Sequence, residues 1–171
     1  MNELTSQILS EFPTFSIVKK SDSWFMKLIN VLLLIISFGQ MKRFMTDYIT
    51  TIGFTTYVPS TWDSISEDEQ YIVLSHEHMH MLQYNKYGFF FGFLYLVVLP
   101  TIFTYRSVFE RQAYEISIRL TYLASGKNID FIKGDYKAFI LSQFTTSAYL
   151  WMDIRTSSLN AWYDGIVATL K

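Results

Sequence analysis

The sequence predicts an α+β protein that is mostly helical and carries a small β-sheet or hairpin ahead of a histidine-rich helix. Segments with apolar residues at helical spacing, or with helix-capping signals, account for most of the chain. Residues 45–59 are instead dense in Thr, Ile, Tyr, Phe and Val, which favours strands. The three histidines all fall within residues 76–80, inside a helical segment. A polar cluster is therefore expected on a helix that follows a small sheet.

Composition limits the domain organisation and the chemistry. With 171 residues the chain is long enough for one domain, spanning residues 1–171. Cysteine is absent, so a metal would have to be held by nitrogen and oxygen ligands. The net charge is −1 and the basic residues are scattered, which argues against nucleic acid as a partner. Hydrophobic residues make up 50%, which indicates burial in an assembly or contact with a membrane.

Three segments before the histidines have a predictable structure. Residues 2–11 have the apolar spacing of a short amphipathic helix. Residues 22–38 should form an N-terminal apolar helix that ends near Gly39. Residues 45–59 should form strands, with Gly53 at a turn or bulge, and the proline at the end of this run terminates them.

The histidine helix has clear boundaries in the sequence. Ser66 followed by Glu69 fits a capping box, and the acidic residues between them suit the positive end of the helix dipole. The helix should run to Tyr87 and end at Gly88. Further helices are predicted after it, in the segments 106–125, 130–150 and 157–170.

The histidines form the motif H-E-x-x-H, in which His76 and His80 are four residues apart. On a helix this spacing puts both side chains on one face, with Cβ atoms about 5–6 Å apart, so that one nitrogen from each can reach a shared metal ion. Glu77 leans to the side of the pair, where it can take a proton from a metal-bound water. His78 lies about 200° around the helix, and we expect it to pack or bond elsewhere.

Two histidines do not complete a catalytic zinc site, which usually has three protein ligands and a water. The chain contains no histidine outside the motif, so the third ligand must be Asp or Glu. The next predicted helix contains the sequence FERQAYE, in which Glu110 and Glu115 are the candidates.

This arrangement resembles the gluzincin clan of zinc metallopeptidases, in which H-E-x-x-H is followed by a glutamate on a later helix, often within the pattern E-x-x-A. Here that pattern runs from Glu110 to Ala113. The resemblance implies Glu110 as the third ligand, Glu115 as a fallback or supporting residue, and a zincin-like core. The layout of residues 49–122 looks like that of small metallopeptidase-like proteins of tailed bacteriophages and bacteria.

Members of this clan often use a further histidine or tyrosine to stabilise the tetrahedral intermediate. No further histidine is present here, so the resemblance implies a tyrosine or an arginine in this role, with Tyr149 as one candidate among several. Zinc is the metal that the ligand types indicate, and manganese or iron could occupy the same set in principle.

A long apolar run, residues 87–105, raises the question of a membrane span. It is uncharged and reaches the lower end of the spanning range. A straight helix across residues 88–105 would rise about 27 Å and carry Glu110 to the far side of a bilayer, so a shared metal requires the run to fold back, with natural breaks at Gly88, Gly92 and Pro100. The apolar stretch 28–38 is too short to span a bilayer, and peripheral membrane contact through residues 24–38 stays open.

Two functions from different classes fit these observations. The first is a zinc-dependent peptidase that hydrolyses a peptide or protein substrate, with Glu77 as general base and residues 47–58 offering a strand edge to an extended peptide. The second is a structural component of a phage particle or other large assembly, which keeps the metal site without activity. A cytoplasmic or virion-associated location is favoured over an integral membrane one.

Overall fold

The structure is a computed structural model that describes residues 3–96, 105–146, 152–153 and 155–171. Over these residues it is an α+β fold dominated by helices, with one three-stranded sheet, and the predicted fold class is confirmed. The chain divides into two compact units, Met1–Asn85 and Lys86–Lys171. The sheet and the histidine helix both lie in the first unit.

The first unit combines helices with the sheet. Its helices are α1 (Glu3–Glu11), α2 (Trp24–Ile36), α3 (Phe44–Asp47) and α4 (Glu67–Tyr87). Its strands are β1 (Ser16–Lys19), β2 (Thr50–Ile52) and β3 (Thr55–Val58). Short 3₁₀ turns at Lys20–Asp22 and Trp62–Ser64 follow β1 and precede α4. The helices predicted over residues 2–11 and 22–38 are confirmed, α2 being slightly shorter than expected.

The sheet has the strand order β1-β3-β2, so β3 is central. β2 and β3 form an antiparallel hairpin within the predicted strand region, with Thr51 opposite Thr56. Gly53 makes the turn with a φ of 61°, a conformation that glycine adopts easily because it has no Cβ. β1 pairs in parallel with β3, with Ile17 opposite Thr56. This strand has no counterpart among the predicted elements.

Side chains from α1, the sheet and α4 form one hydrophobic core. Its buried members are Leu4, Ile8, Phe12, Phe15, Val58, Trp62, Leu74 and Met81. The hairpin turn contacts α4 through Phe54, whose ring meets Tyr84 edge to face with 5.4 Å between centroids. The hairpin therefore lies beside the turn of α4 that follows the histidines.

Both ends of α4 lie where the sequence predicts them. At its start, Ser66 Oγ accepts a hydrogen bond from the Glu69 N–H at 3.2 Å, and the Glu69 carboxylate accepts one from the Ser66 N–H at 3.1 Å. These two bonds complete the capping box. At its end, Gly88 has a φ of 57° and stops the helix at Tyr87.

The second unit is helical in its described part. Its helices are α5 (Phe89–Leu96), α6 (Tyr105–Ala124), α7 (Ile129–Phe131), α8 (Lys137–Thr145) and α9 (Thr156–Val167), and a π-helical segment, Ile132–Tyr136, joins α7 to α8. Its hydrophobic core includes Tyr114, Ile118, Ile140, Leu159 and Tyr163. The helix predicted over residues 130–150 is broken, because Gly134 has a non-helical backbone with φ −96° and ψ −106°.

The apolar run of residues 87–105 begins as α5, after the break at Gly88. α5 packs against α6, with 5.0 Å between the ring centroids of Phe91 and Phe109, instead of continuing into it as one straight helix. This packing agrees with the predicted fold-back, while the break expected at Pro100 lies outside the described residues. Among the helices that the structure describes, none combines the length and the apolar character of a bilayer span.

Candidate metal centre

His76 and His80 lie one turn apart on α4, as the H-E-x-x-H motif predicts. Their ring centroids are 5.0 Å apart, and the ring planes are inclined by 74°. His80 is buried and His76 is partly exposed. Two imidazoles at this separation can each turn one nitrogen toward a shared cation.

Gln83 orients the buried histidine. His80 Nδ1 lies 2.9 Å from Gln83 Oε1, and both side chains are buried. Because an amide oxygen can only accept, this contact places the ring proton on Nδ1. The lone pair is then on Nε2, which is the atom left to bind a metal. Gln83 thus supports the site from three residues further along α4.

Glu110 supplies the carboxylate of the group. It lies near the start of α6, and only 3% of it is exposed. One potential ligand atom from each of His76, His80 and Glu110 lies within 4.8 Å of the others. A carboxylate is rarely buried this deeply unless it is paired, hydrogen-bonded or bound to a metal. The structure therefore brings two imidazoles and a buried glutamate together.

This donor set suits a divalent cation. Tetrahedral ligands about 2.0–2.1 Å from zinc lie about 3.4 Å from one another. The 4.8 Å limit on the separations here is close enough for small side-chain rotations to bring all three atoms onto one ion. Three protein ligands would also leave the fourth coordination position for water, as in catalytic zinc sites. The residues present fit zinc, and the same atoms suit manganese or iron.

Glu115, the alternative ligand, and His78 both have other partners. Glu115 accepts two hydrogen bonds from Arg119, at 2.8 and 3.1 Å. His78 Nε2 lies 2.8 Å from a carboxylate oxygen of Glu11, and its ring meets Phe12 edge to face. His78 therefore bonds away from the His76–His80 face, as expected. The predicted oxyanion-stabilising residue Tyr149 lies outside the described residues.

Glu77, the predicted general base, is buried on α4 next to His76. Lys20 lies near enough for the two charges to interact, and it is also buried. Lys20 Nζ donates to the backbone oxygen of Phe44 at 2.8 Å and lies 3.6 Å from the centroid of the Phe44 ring. Burial lowers the pKa of Lys20 to about 7, while the charge of Glu77 acts in the opposite direction. Nothing in the local sequence VKKSD distinguishes this lysine from a surface lysine.

A second buried charge network supports the start of α6. Asp153 accepts hydrogen bonds from Ser107 at 3.1 Å, from Arg111 at 2.8 Å and from the Arg155 backbone at 2.9 Å. Burial raises the pKa of Asp153, but the hydrogen bonds from Arg155 and Ser107 and the charge of Arg111 outweigh it, so the pKa lies below its usual value. Ser107 and Arg111 flank Glu110 in sequence. The network therefore fixes the helical turn that carries the glutamate.

Comparisons with models of protein families, with curated proteins and with solved structures find no match to this chain. The function therefore has to be inferred from the side chains of the site. The similarity to gluzincins consists of the H-E-x-x-H and E-x-x-A residues.

Proposed function

We propose that this protein is a zinc-dependent peptidase with a gluzincin-like site. The proposal is carried by the grouping of His76, His80 and Glu110, whose ligand atoms lie within 4.8 Å of one another. Glu77 lies on the same helix as the two histidines and is buried beside them. Three ligands, an open fourth position and a carboxylate base are the parts that metal-assisted hydrolysis needs.

Each residue of the site has a distinct task in this mechanism. His76, His80 and Glu110 hold the cation, and Gln83 keeps the His80 ring in its ligating orientation. If zinc is bound there, it would supply a water whose pKa is lowered toward about 7 and would polarise the scissile carbonyl. The Glu77 carboxylate takes the proton from the attacking water and delivers it to the leaving amine.

An extended peptide is the substrate that the sheet favours. β2 is an edge strand, because the strand order places β3 in the centre. The outer N–H and C=O groups of such a strand can pair with a peptide backbone. The turn that follows β2 contacts Tyr84, four residues beyond His80 on α4. A peptide added to β2 would therefore run close to the histidine helix.

The decisive experiment is the substitution Glu77→Gln, which keeps the size of the side chain and removes its basicity. We expect the variant to retain one metal ion per chain, measured by mass spectrometry of the metal, and to lose hydrolysis of a peptide library by at least 100-fold. Glu115→Gln is the matched control, since Glu115 is half-buried and bonded to Arg119. The control should cleave as the wild type does.

Two outcomes would overturn the peptidase proposal. The first is a Glu77→Gln variant that cleaves as well as the wild type. The second is a wild-type protein that carries its metal and cleaves none of the library peptides, because the assembled site would then lack the proposed activity.

The second candidate function is a structural component of a phage particle or other large assembly. It is favoured by the exposed apolar surface of α2, where Trp24 is 75% exposed, because contacts between subunits would cover such a surface. In this case the metal stabilises the fold and Glu77 has no catalytic task. Metal removal by a chelator should then lower Tm, while Glu77→Gln should leave both the metal content and the assembly unchanged.

A further inference from the structure

α2 exposes an apolar stripe. Only Met26 of its 13 residues is buried. The exposed large hydrophobic residues of the helix are Trp24, Phe25, Leu28, Val31, Leu32, Ile35 and Ile36. At about 100° per residue, these side chains fall within an arc of roughly 140°, and no polar residue of α2 falls within it. Phe38, which follows the helix, is 94% exposed and extends this apolar stripe.

The charges next to the apolar stripe are basic. Between residues 23 and 46 the ionisable side chains are Lys27, Lys42 and Arg43, and all three are exposed. Asp22 and Asp47 border this segment, and Asp47 pairs with Arg43. The segment itself therefore carries a positive charge, although the whole chain has a net charge of −1.

We propose that α2 binds flat on the surface of an anionic phospholipid membrane, with the apolar stripe among the acyl chains and Lys27 and Lys42 at the headgroups. A helix of this length is about 20 Å long, which is too short to cross the hydrocarbon and suits binding in the plane of the interface. Trp24 and Phe38 lie at the two ends of the stripe, and the amphipathic indole ring of Trp24 is favoured at this depth. This inference does not depend on the peptidase function.

The scarcity of hydrogen-bonding groups in the stripe favours a lipid surface over the subunit contacts of the second candidate function. Protein interfaces contain about one hydrogen bond per 100–200 Å² of buried surface. Among the side chains in the arc of α2, the indole N–H of Trp24 is the single hydrogen-bonding group, because the other members are aliphatic residues and Phe25. Acyl chains need no hydrogen-bonding partner, and anionic headgroups complement the lysines.

Vesicle sedimentation of the full chain tests the proposal. We expect binding to phosphatidylcholine vesicles that contain phosphatidylglycerol, weaker binding to phosphatidylcholine alone, and a loss of the difference at high salt. Lys27→Gln with Lys42→Gln should weaken binding to the anionic vesicles by about 30-fold and leave binding to neutral vesicles unchanged. Leu32→Ser with Ile35→Ser should weaken binding to both vesicle types by about 100-fold.

A matched control uses exposed apolar residues from the second unit. Leu123 and Phe139 are 57% and 54% exposed, so their replacement by serine removes a similar amount of exposed apolar surface. We expect this control to bind vesicles as the wild type does. Circular dichroism verifies that every variant is folded, and the substituted side chains are exposed, so the fold should persist.

Three results would overturn the proposal. The first is a wild-type chain that sediments with neither kind of vesicle. The second is a control variant that loses binding as strongly as Leu32→Ser with Ile35→Ser, since general stickiness would then explain the binding. The third is a wild-type oligomer that becomes a monomer in Leu32→Ser with Ile35→Ser and never binds vesicles, which would assign the stripe to contact between protein chains.

Discussion

The two longest helices of the first unit, α2 and α4, depart from the usual distribution of side chains in opposite directions. α4 buries polar and charged residues, including Glu77, His80 and Gln83, whereas α2 buries a single residue and exposes five of its eight aliphatic ones. Apolar residues on a surface and polar residues in an interior both cost free energy unless something compensates. We therefore propose two kinds of compensating partner, a cation for α4 and an apolar phase for α2.

Glu110, the proposed metal ligand on α6, gives the largest expected effect on the α4 side of this comparison. Glu110→Ala leaves two imidazoles to hold the cation, and we expect zinc affinity to fall by at least 100-fold, measured by competition with a chromogenic chelator. Glu115→Ala is the control and should bind zinc normally, because Glu115 bonds to Arg119. Equal occupancy in the two variants would move the third ligand elsewhere, and Glu110→Gln repeats the test without a change in side-chain size.

The hydrogen bond behind His80 should have a smaller effect. Gln83→Leu removes the acceptor for the Nδ1 proton of His80 and lets the ring turn, so we expect zinc affinity to drop by about 10–100-fold. His78→Asn is the control, because His78 bonds to Glu11 and not to the site. Metal titration of both variants measures the effect. A Gln83→Leu variant that binds zinc with wild-type affinity would show that the hydrogen bond between Gln83 and His80 does not orient the His80 ring.

The buried side chain of Lys20 makes the free energy of unfolding depend on pH. Burial lowers its folded-state pKa to about 7 from an ordinary 10.5, so between these values the unfolded chain binds more protons and stability rises with pH. The gain approaches about 1.4 kcal/mol per pH unit above the folded pKa, or about 2 kcal/mol from pH 7.5 to 9. Urea unfolding of the metal-free protein measures it. Lys20→Met should abolish this rise.

The neighbouring lysine provides the control for the pH experiment. Lys19 is partly exposed and bonds to Asp63 at 2.6 Å, so Lys19→Met should leave the rise in stability from pH 7.5 to 9 intact. If Lys20→Met shows the same rise as the wild type, another group is responsible and Lys20 is charged in both states throughout this range.

How far the sequence predicts this molecule depends on how local each feature is. The bounds of α4 and the shared face of His76 and His80 follow from short-range signals, namely a capping box, a four-residue spacing and Gly88. The parallel pairing of β1 with β3 joins residues about forty positions apart and leaves no mark in the four residues of the strand. The burial of Lys20 is likewise a result of packing against Phe44, which no local pattern reports.

The same distinction between local and long-range features applies to the residues of the site. The E-x-x-A pattern singles out Glu110 in the sequence. Its approach to the two histidines is implied by the resemblance to gluzincins and does not follow from helical periodicity. The contact of Gln83 with His80 lay within reach of the sequence, since residues three apart share a helix face. The Asp153 network joins α6 to a residue more than forty positions later, and only the folded chain reveals it.

The smallest expected effect on stability comes from removing the helix caps, one at the start of α4 and one at the start of α2. Ser66 Oγ accepts from the Glu69 N–H within a reciprocal capping box, whereas Ser23, at the start of α2, accepts a single bond from the Met26 N–H at 3.2 Å. We expect Ser66→Ala to cost about 1 kcal/mol and Ser23→Ala about half of that, which corresponds to a fall in Tm of about 2–4 °C for Ser66→Ala. Thermal unfolding of both variants with vesicles absent measures the two losses.

If α2 is held mainly by lipid, Ser23→Ala should also bind vesicles normally, because its cap lies outside the apolar stripe. A larger loss of Tm for Ser23→Ala than for Ser66→Ala would mean that α2, despite its exposed face, contributes more to the fold than the helix that carries the histidines.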